Sequence, residues 1–230
     1  QQYLLDLREK TRRGLLGRIL DGKSGGGLAY GYRIRTDHIG EREIVDTEAM
    51  VVRRIFKDYA NGISPRKIAK ALNEEAIPGP GGRNWGDTTI RGQVDRGTGI
   101  LNNDLYIGRL VWNRCSYVKN PRTGKRLARP NPPEQWEIVD IPELRIIDDE
   151  LWQQVKVRQQ SVRLEMSRDD SGNALNRVHR RKYLFSGLLK CGVCGAGYTI
   201  TGKDRYGCAS HRSKGICPNT RYWCFVYITP

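Results

Sequence analysis

Apolar residues recur at helical spacing in several stretches of the chain, separated by glycine- and proline-rich segments. Leu4, Leu5, Leu15, Leu16, Ile19 and Leu20 predict a helix over residues 1–20, with charges between them. It begins without a capping residue, which predicts that the chain continues upstream of Gln1. Asp21-Gly-Lys-Ser-Gly-Gly-Gly27 is too glycine-rich for helix or strand and reads as a flexible linker. Short extended pieces follow at Leu28–Arg33 and Glu43–Val45, around a turn at His38-Ile-Gly40. Asp46 or Thr47 caps a helix whose stripe is Val52, Ile55, Phe56 and Tyr59, and Asn61-Gly62 ends it. Ser64-Pro65 starts another, with serine as cap and proline in the first turn. Its buried face is Ile68, Ala69 and Leu72, and it stops before Pro78.

Beyond the loop Gly79-Pro-Gly-Gly82, Asp87 or Thr88 caps a third helix carrying Ile90 and Val94, interrupted at Gly97-Thr-Gly99. A short helical turn is expected over Ile100–Tyr106. From Ile107 to Ile141 the pattern turns to strands, at Leu110–Trp112, Tyr117-Val118 and Trp136–Val139, flanking a turn at Asn120–Gly124. Asp148 caps a helix to about Leu164, with Leu151, Trp152 and Val155 inward. A polar stretch, 167–177, reads as a second linker. The fold class is therefore α+β and multidomain.

The formal charge of +15 over 230 residues repels itself unless a polyanion neutralises it. Its placement says more. From Gly108 to Pro133 there are seven Lys/Arg and no acid, and from Asn176 to Tyr222 ten against the single Asp204. A solvated basic surface is the alternative reading. Acidic lipid is a weaker fit, because the basic stretches hold turns and glycines instead of an amphipathic helix. No apolar run approaches bilayer length, so the expectation is a soluble, cytoplasmic protein.

Cysteines add a metal site. Cys191-x2-Cys194-x13-Cys208-x8-Cys217 gathers four thiols within 27 residues, and glycines around the first pair suit a tight knuckle. Four thiolates satisfy tetrahedral Zn²⁺ with no open position, so one structural zinc per chain is expected. Tyr183–Phe185, Leu188-Leu189 and Tyr198–Ile200 would supply the short strands of a zinc ribbon. A redox Cys-x-x-Cys competes, and it leaves Cys208 and Cys217 without a role. His211 stands as a possible replacement for either of those two. Cys115 and Cys224 lie apart.

The two short helices on either side of the Pro78–Gly86 loop resemble a helix-turn-helix in order. The second would present Thr88, Thr89, Arg91, Gln93 and Arg96, side chains suited to base edges and phosphates. An ordinary helical hairpin with a polar face is the alternative. Lys125 and Arg126, beside a hairpin turn, suit phosphates.

These motifs converge on one family. Thr11-Arg-Arg-Gly14, Gly27-Leu-Ala-Tyr-Gly-Tyr-Arg33, Ser64–Asn73, Trp85, Ile100-Leu-Asn-Asn103, Tyr106-Ile-Gly108 and Leu188–Gly195 resemble the C-terminal part of a large serine recombinase, a serine integrase. The resemblance implies the end of a long helix over 1–20, leaving a catalytic domain that precedes Gln1, and a linker over 21–27 lying along the duplex. A recombinase domain with a helix-turn-helix-like element would span 28–166. After the linker over 167–177, a zinc β-ribbon would span 178–220. It implies that both domains grip double-stranded attachment-site DNA, and that the full-length protein self-associates. Arg18, Lys23 and Arg33 would then meet the backbone or minor groove, and the helix after Trp85 the major groove. Arg66, Lys67, Arg83, Lys203, Arg205 and Arg212 complete the expected DNA contacts. No serine here is expected to be the nucleophile, and residues 221–230 look unlike the family's usual continuation. The rivals are a zinc-ribbon DNA-binding regulator with no catalytic domain, and an RNA-binding ribbon protein.

Overall fold

The computed structural model of the chain describes residues 2–167, 185, 187–202 and 205–224, a mixed α+β structure with small antiparallel sheets. Two compact units divide it, Gln1–Lys57 with Arg91–Trp152 and Asp58–Ile90 with Gln153–Pro230.

The first unit begins with helix α1, Gln2–Leu20. Only its C-terminal end is seated: Ile19 is buried and Leu15 and Leu16 are half-buried, whereas Leu4, Leu5, Leu7 and Leu20 are exposed, so the expected stripe is not a continuous core face. The glycine-rich segment that follows is less free than its composition predicts. The Lys23 N–H donates to the Arg18 carbonyl (2.8 Å), the Ser24 N–H to the Gly40 carbonyl (2.7 Å), and Arg42 to the Ser24 hydroxyl (3.2 Å). Strands β1 (Tyr32–Ile34) and β2 (Arg42–Ile44) pair antiparallel around the expected turn.

Tyrosines hold this unit's centre. Helix α2, Asp46–Ala60, places Asp46 and Glu48 at its positive N-terminus and buries Val52, Ile55 and Phe56 completely. Tyr106 stacks on Tyr32 with centroids 5.8 Å apart, and Phe56 meets it edge-on. The stacked phenols both find carbonyls, as their desolvation requires: Tyr106 donates to Tyr30 (2.8 Å), Tyr32 to Leu105 and Leu144. Burial, helped by Glu48, pushes the Tyr30 hydroxyl up to about 12.

Strand β3 (Arg109–Trp112) pairs with β6 (Glu137–Asp140), and between them β4 (Cys115–Lys119) and β5 (Arg126–Pro130) form a hairpin. β5 was not expected: Arg126-Leu-Ala-Arg-Pro130 has little apolar content, and its pairing with β4 comes from the turn. There the Asn120 carbonyl accepts from Gly124 (2.8 Å), and the Asn120 side chain accepts from the Arg122 and Thr123 N–H groups. Two short 3-10 turns, Ile100–Asn102 and Asp104–Ile107, stand where one helical turn was expected.

In the second unit, helix α3, Pro65–Glu74, forms as its sequence dictates. The Ser64 hydroxyl caps the Lys67 N–H, Pro65 opens the first turn, and Ile68, Ala69 and Leu72 are buried. Helix α5, Asp149–Ser167, is capped by the Asp148 side chain, which accepts from the Leu151 N–H (2.8 Å). Its Arg158 stacks on Tyr59 and donates to the Gly62 carbonyl and to the Tyr59 carbonyl, which also accepts from the Gly62 N–H (3.1 Å). The ribbon is a three-stranded sheet in the order β7 (Tyr198–Gly202), β8 (Arg205–Cys208), β9 (Tyr222–Cys224), with helix α6, Ala209–Lys214, following β8. Leu188-Leu189 forms a turn instead of the expected strand, and only Lys190 makes an isolated bridge, to Gly197. Tyr183 and Leu184, and the second linker from Arg168 on, lie outside the described residues.

Candidate metal centre and nucleic-acid interface

The four sulfurs come together. The knuckle closes when the Cys191 N–H donates to the Ala196 carbonyl (2.7 Å) and the Gly195 N–H to the Cys191 carbonyl (2.8 Å). Cys208 ends β8 at the start of α6, and Cys217 follows the glycine that ends that helix. All four Sγ atoms lie within 4.8 Å of one another, with Cys191 to Cys217 at 3.9 Å and Cys194 to Cys208 at 3.5 Å. A tetrahedron with Zn–S bonds of about 2.3 Å has sulfur–sulfur edges near ~3.8 Å, so the donor set fits that ion. Cys191, Cys208 and Cys217 are buried and Cys194 is exposed. The Asn219 side chain donates to the Cys191 sulfur (3.2 Å) and, with the Cys194 backbone, holds that thiol down to about 6. Burial pushes the Cys208 thiol the other way.

His211 does not join the sulfurs. Its Nδ1 meets the Cys217 carbonyl at 2.7 Å, which ties α6 to the Cys217 loop. A dithiol reading of Cys191 and Cys194 leaves the other two sulfurs of the cluster unexplained. Cys115 is half-buried at the start of β4, apart from the cluster.

The expected reading helix is shorter than its sequence suggests. Helix α4 runs only over Asp87–Arg91, so Gln93 and Arg96 lie beyond it, and Val94 is 48% exposed instead of inward. Gly92 breaks the helix. It sits at φ +55°, and a Cβ there would lie 1.6 Å from the Thr98 carbonyl oxygen. The backbones of Gln93 and Thr98 exchange hydrogen bonds of 3.1 and 3.2 Å, and Asn102 donates to the Arg91 and Thr98 carbonyls. Gln93 and Arg96 are exposed on this clasp; Thr88, Thr89 and Arg91 remain on α4, with Thr88 and Arg91 exposed.

The other candidate contacts are scattered. Arg18 and Lys23 lie against Gly40, with Lys23 also near Asp21 (3.7 Å), and Arg33 pairs with Glu43 on the β1–β2 sheet. Arg66 and Lys67 are exposed in the first turn of α3, and Arg83 in the loop before Trp85. Arg205 is exposed on β8; Arg212 is half-buried and donates to the Ile200 carbonyl within the ribbon. Lys203 lies outside the described residues.

Lys125 and Arg126 sit on the β4–β5 hairpin with Lys119, Arg122 and Arg129, all exposed, and among the described residues none of the five is in an ion pair. Arg126 stacks on Tyr117 at 4.4 Å and stands directly opposite Lys119 in the ladder. Like charges across a strand pair destabilise it, so the arrangement suits an anion held between them.

Two further side chains were not singled out in the sequence, Asn219 beside the sulfurs and Asn73, which closes the Ser64–Asn73 motif on α3. The Asn73 Oδ1 accepts from the Trp85 N–H (2.8 Å), and its Nδ2 donates to the Trp85 (2.9 Å) and Lys214 (2.7 Å) carbonyls. An asparagine near the end of an otherwise amphipathic helix was the one available hint.

Among the described residues, no helix is long and apolar enough to cross a membrane. The family model described as Recombinase matches residues 46–161, and that described as Recombinase zinc beta ribbon domain matches 184–223. A Bacillus subtilis (strain 168) protein named "Putative DNA recombinase" is 28% identical over 208 residues, which are 86% of this chain; the chain covers 36% of that protein's length. A crystal structure of an LSR–DNA complex aligns with 94% of this chain and 61% of its own, at 18% identity and a TM-score of 0.41. A structure concerned with sequence requirements of the Listeria innocua prophage attP site gives the same identity and score, with 80% of its chain covered.

Proposed function

The chain belongs to the recombinase family, and from that premise we propose that it is the DNA-binding module of a site-specific serine recombinase, recognising duplex attachment-site DNA for integration or excision of a mobile element. The β4–β5 hairpin carries this reading. It offers five exposed cations with no acid between Gly108 and Pro133, and two of them stand opposed on one face. A two-stranded ribbon of that width enters a major groove or lies along phosphates. The pairing of a recombinase domain with its zinc ribbon supports the same conclusion. It is also what the resemblance to large serine recombinases implies.

In this reading Thr88, Thr89 and Arg91 face base edges, while Lys125, Arg126, Arg66, Lys67 and Arg83 meet phosphates. Arg18, Lys23 and Arg33 follow the backbone or minor groove, Arg205 serves the ribbon, and Gln93 and Arg96 approach from the clasp. Cys191, Cys194, Cys208 and Cys217 would hold one Zn²⁺, whose chemistry is structural: it crosslinks the ribbon. The recombinase domain would occupy 28–166 and the ribbon 178–220. Strand cutting and rejoining through a phosphoserine linkage, and self-association, belong to the parent recombinase, acting in the cytoplasm of a bacterial host.

A salt series on duplex DNA tests the assignment. Lys125→Ala with Arg126→Ala should weaken binding to cognate and scrambled duplexes alike and flatten the salt slope by about two. Arg91→Ala should instead relax preference at a few base pairs, by about 1–3 kcal/mol, and leave the slope nearly unchanged. Equal loss on both duplexes removes Arg91 from the reading role. Tighter binding to A-form RNA than to any DNA duplex overturns the reading as a whole.

A further inference from the structure

The ribbon helix α6 and the loop that carries α4 meet at one side chain. Like any helix, α6 ends in carbonyls without intrahelical partners. The one at Lys214 is taken by the Nδ2 of Asn73, from the far end of α3. The same amide bonds both the N–H and the carbonyl of Trp85, a fully buried residue two positions before α4. All three bonds are 2.7–2.9 Å, and they use the one acceptor and both donors that a carboxamide supplies. Beside it Gly215 lies so close to α3 that a Cβ there would be 2.6 Å from the Lys70 Cγ. The opposite end of α6 begins at Cys208, and His211 on the helix is bonded to the Cys217 carbonyl, so the sulfur cluster fixes α6 from its other side.

Between the start of α4 and α6 this arrangement leaves an open cleft of about 580 Å³, lined by Arg83, Thr88 and Thr89 on one wall and Ser210, Ser213 and Lys214 on the other. We propose that Asn73 is a positioning residue for DNA recognition: it locks α6 to the α4 loop, so that the two helices and the cleft between them meet the duplex as one surface of fixed spacing. The proposal rests on the DNA-binding reading and adds a geometric constraint to it. Two independently tethered contacts tolerate a change in the distance between their sites, because the tether absorbs it. Two contacts on one rigid face do not.

Single base-pair insertions therefore provide the test. A duplex is first selected from random-sequence DNA with the zinc-loaded wild-type chain, and one base pair is then inserted at each position in turn. The wild type should lose tenfold or more at insertions between the two contacts. Asn73→Asp keeps the acceptor for the Trp85 N–H and turns a carboxylate on both carbonyls. It should bind the uninterrupted duplex about tenfold more weakly and lose most of the insertion penalty. Lys70→Ala, which removes the stem under Gly215 together with the ammonium paired with Glu74 (3.5 Å), should reduce the penalty more mildly, and decides the matter if Asn73→Asp fails to hold zinc or to fold. An insertion penalty unchanged from wild type in the folded variant overturns the latch, whatever happens to overall affinity. A wild-type chain that selects no duplex overturns instead the reading on which the latch depends.

Discussion

Around α3, Ile68, Ala69, Leu72 and Trp85 are buried, while in the ribbon Cys191, Cys208 and Cys217 form a buried cluster against which, among the described residues, only Ala196 and Tyr198 pack, with Tyr206 buried elsewhere on β8. The first region spreads its stability over many contacts, each worth a modest amount per unit of apolar area. The second concentrates it at one point, and its sheet has too little apolar surface to close without a cation between the sulfurs. The two should therefore fail differently, one by degrees and the other all at once.

Metal removal should produce the largest effect. Structural zinc binding is worth on the order of 10–16 kcal/mol in small sites, so chelation, or Cys208→Ala, should abolish the amide NMR dispersion of β7–β9 and α6. The signals of α2 and the Tyr106 core should persist; a ribbon that keeps its dispersion without metal would remove the contrast. Next in size is Trp85→Ala, which leaves a cavity and strips the Ile77 carbonyl of the indole N–H, while the backbone groups that Asn73 bonds remain. A loss of about 3–5 kcal/mol is expected in denaturant unfolding, with zinc still near one equivalent by elemental analysis. Asn219→Ala deletes the donor to the Cys191 sulfur. Chelator competition should show metal held roughly tenfold less tightly, with the α3 region's unfolding unchanged. Smallest of all, Cys115→Ser and Cys224→Ser should leave zinc content as it is, and a drop in either would redraw the ligand set.

How much of this was legible in the sequence follows the same division. α3 could be read outright, because its cap, its proline and its three buried positions all lie within ten residues and point the same way. The sulfur cluster was legible in part: the knuckle spacing marked Cys191 and Cys194, whereas the fold decided for Cys208 and Cys217 over His211, whose ring meets the Cys217 carbonyl instead. α4 was drawn too long, since Val94 continues the helical period past Gly92 and only the approach of Thr98 shows why the helix stops. α1 carried leucines at the right spacing, yet the pattern does not say whether anything covers them. Asn73 could not be found this way: its partners lie 12 and 141 residues away, and polar contacts at such range leave no period. The candidate DNA contacts fall between these cases, identifiable as cations, and placed on the hairpin or the clasp only by the fold.

The clasp that stops α4 also limits how this surface can be varied. A Cβ at Gly92 would meet the Thr98 backbone, and one at Gly99 would lie 2.5 Å from the Gly92 Cα, so neither position accepts a side chain. The usual ways to vary a short helix, lengthening it by a turn or randomising through its end, are thereby closed. Diversity has to enter through the identities of residues 88, 89 and 91 on a helix of constant length. A selection library confined to those positions should yield folded clones in high proportion, whereas one spanning residues 92–99 should be dominated by misfolded ones.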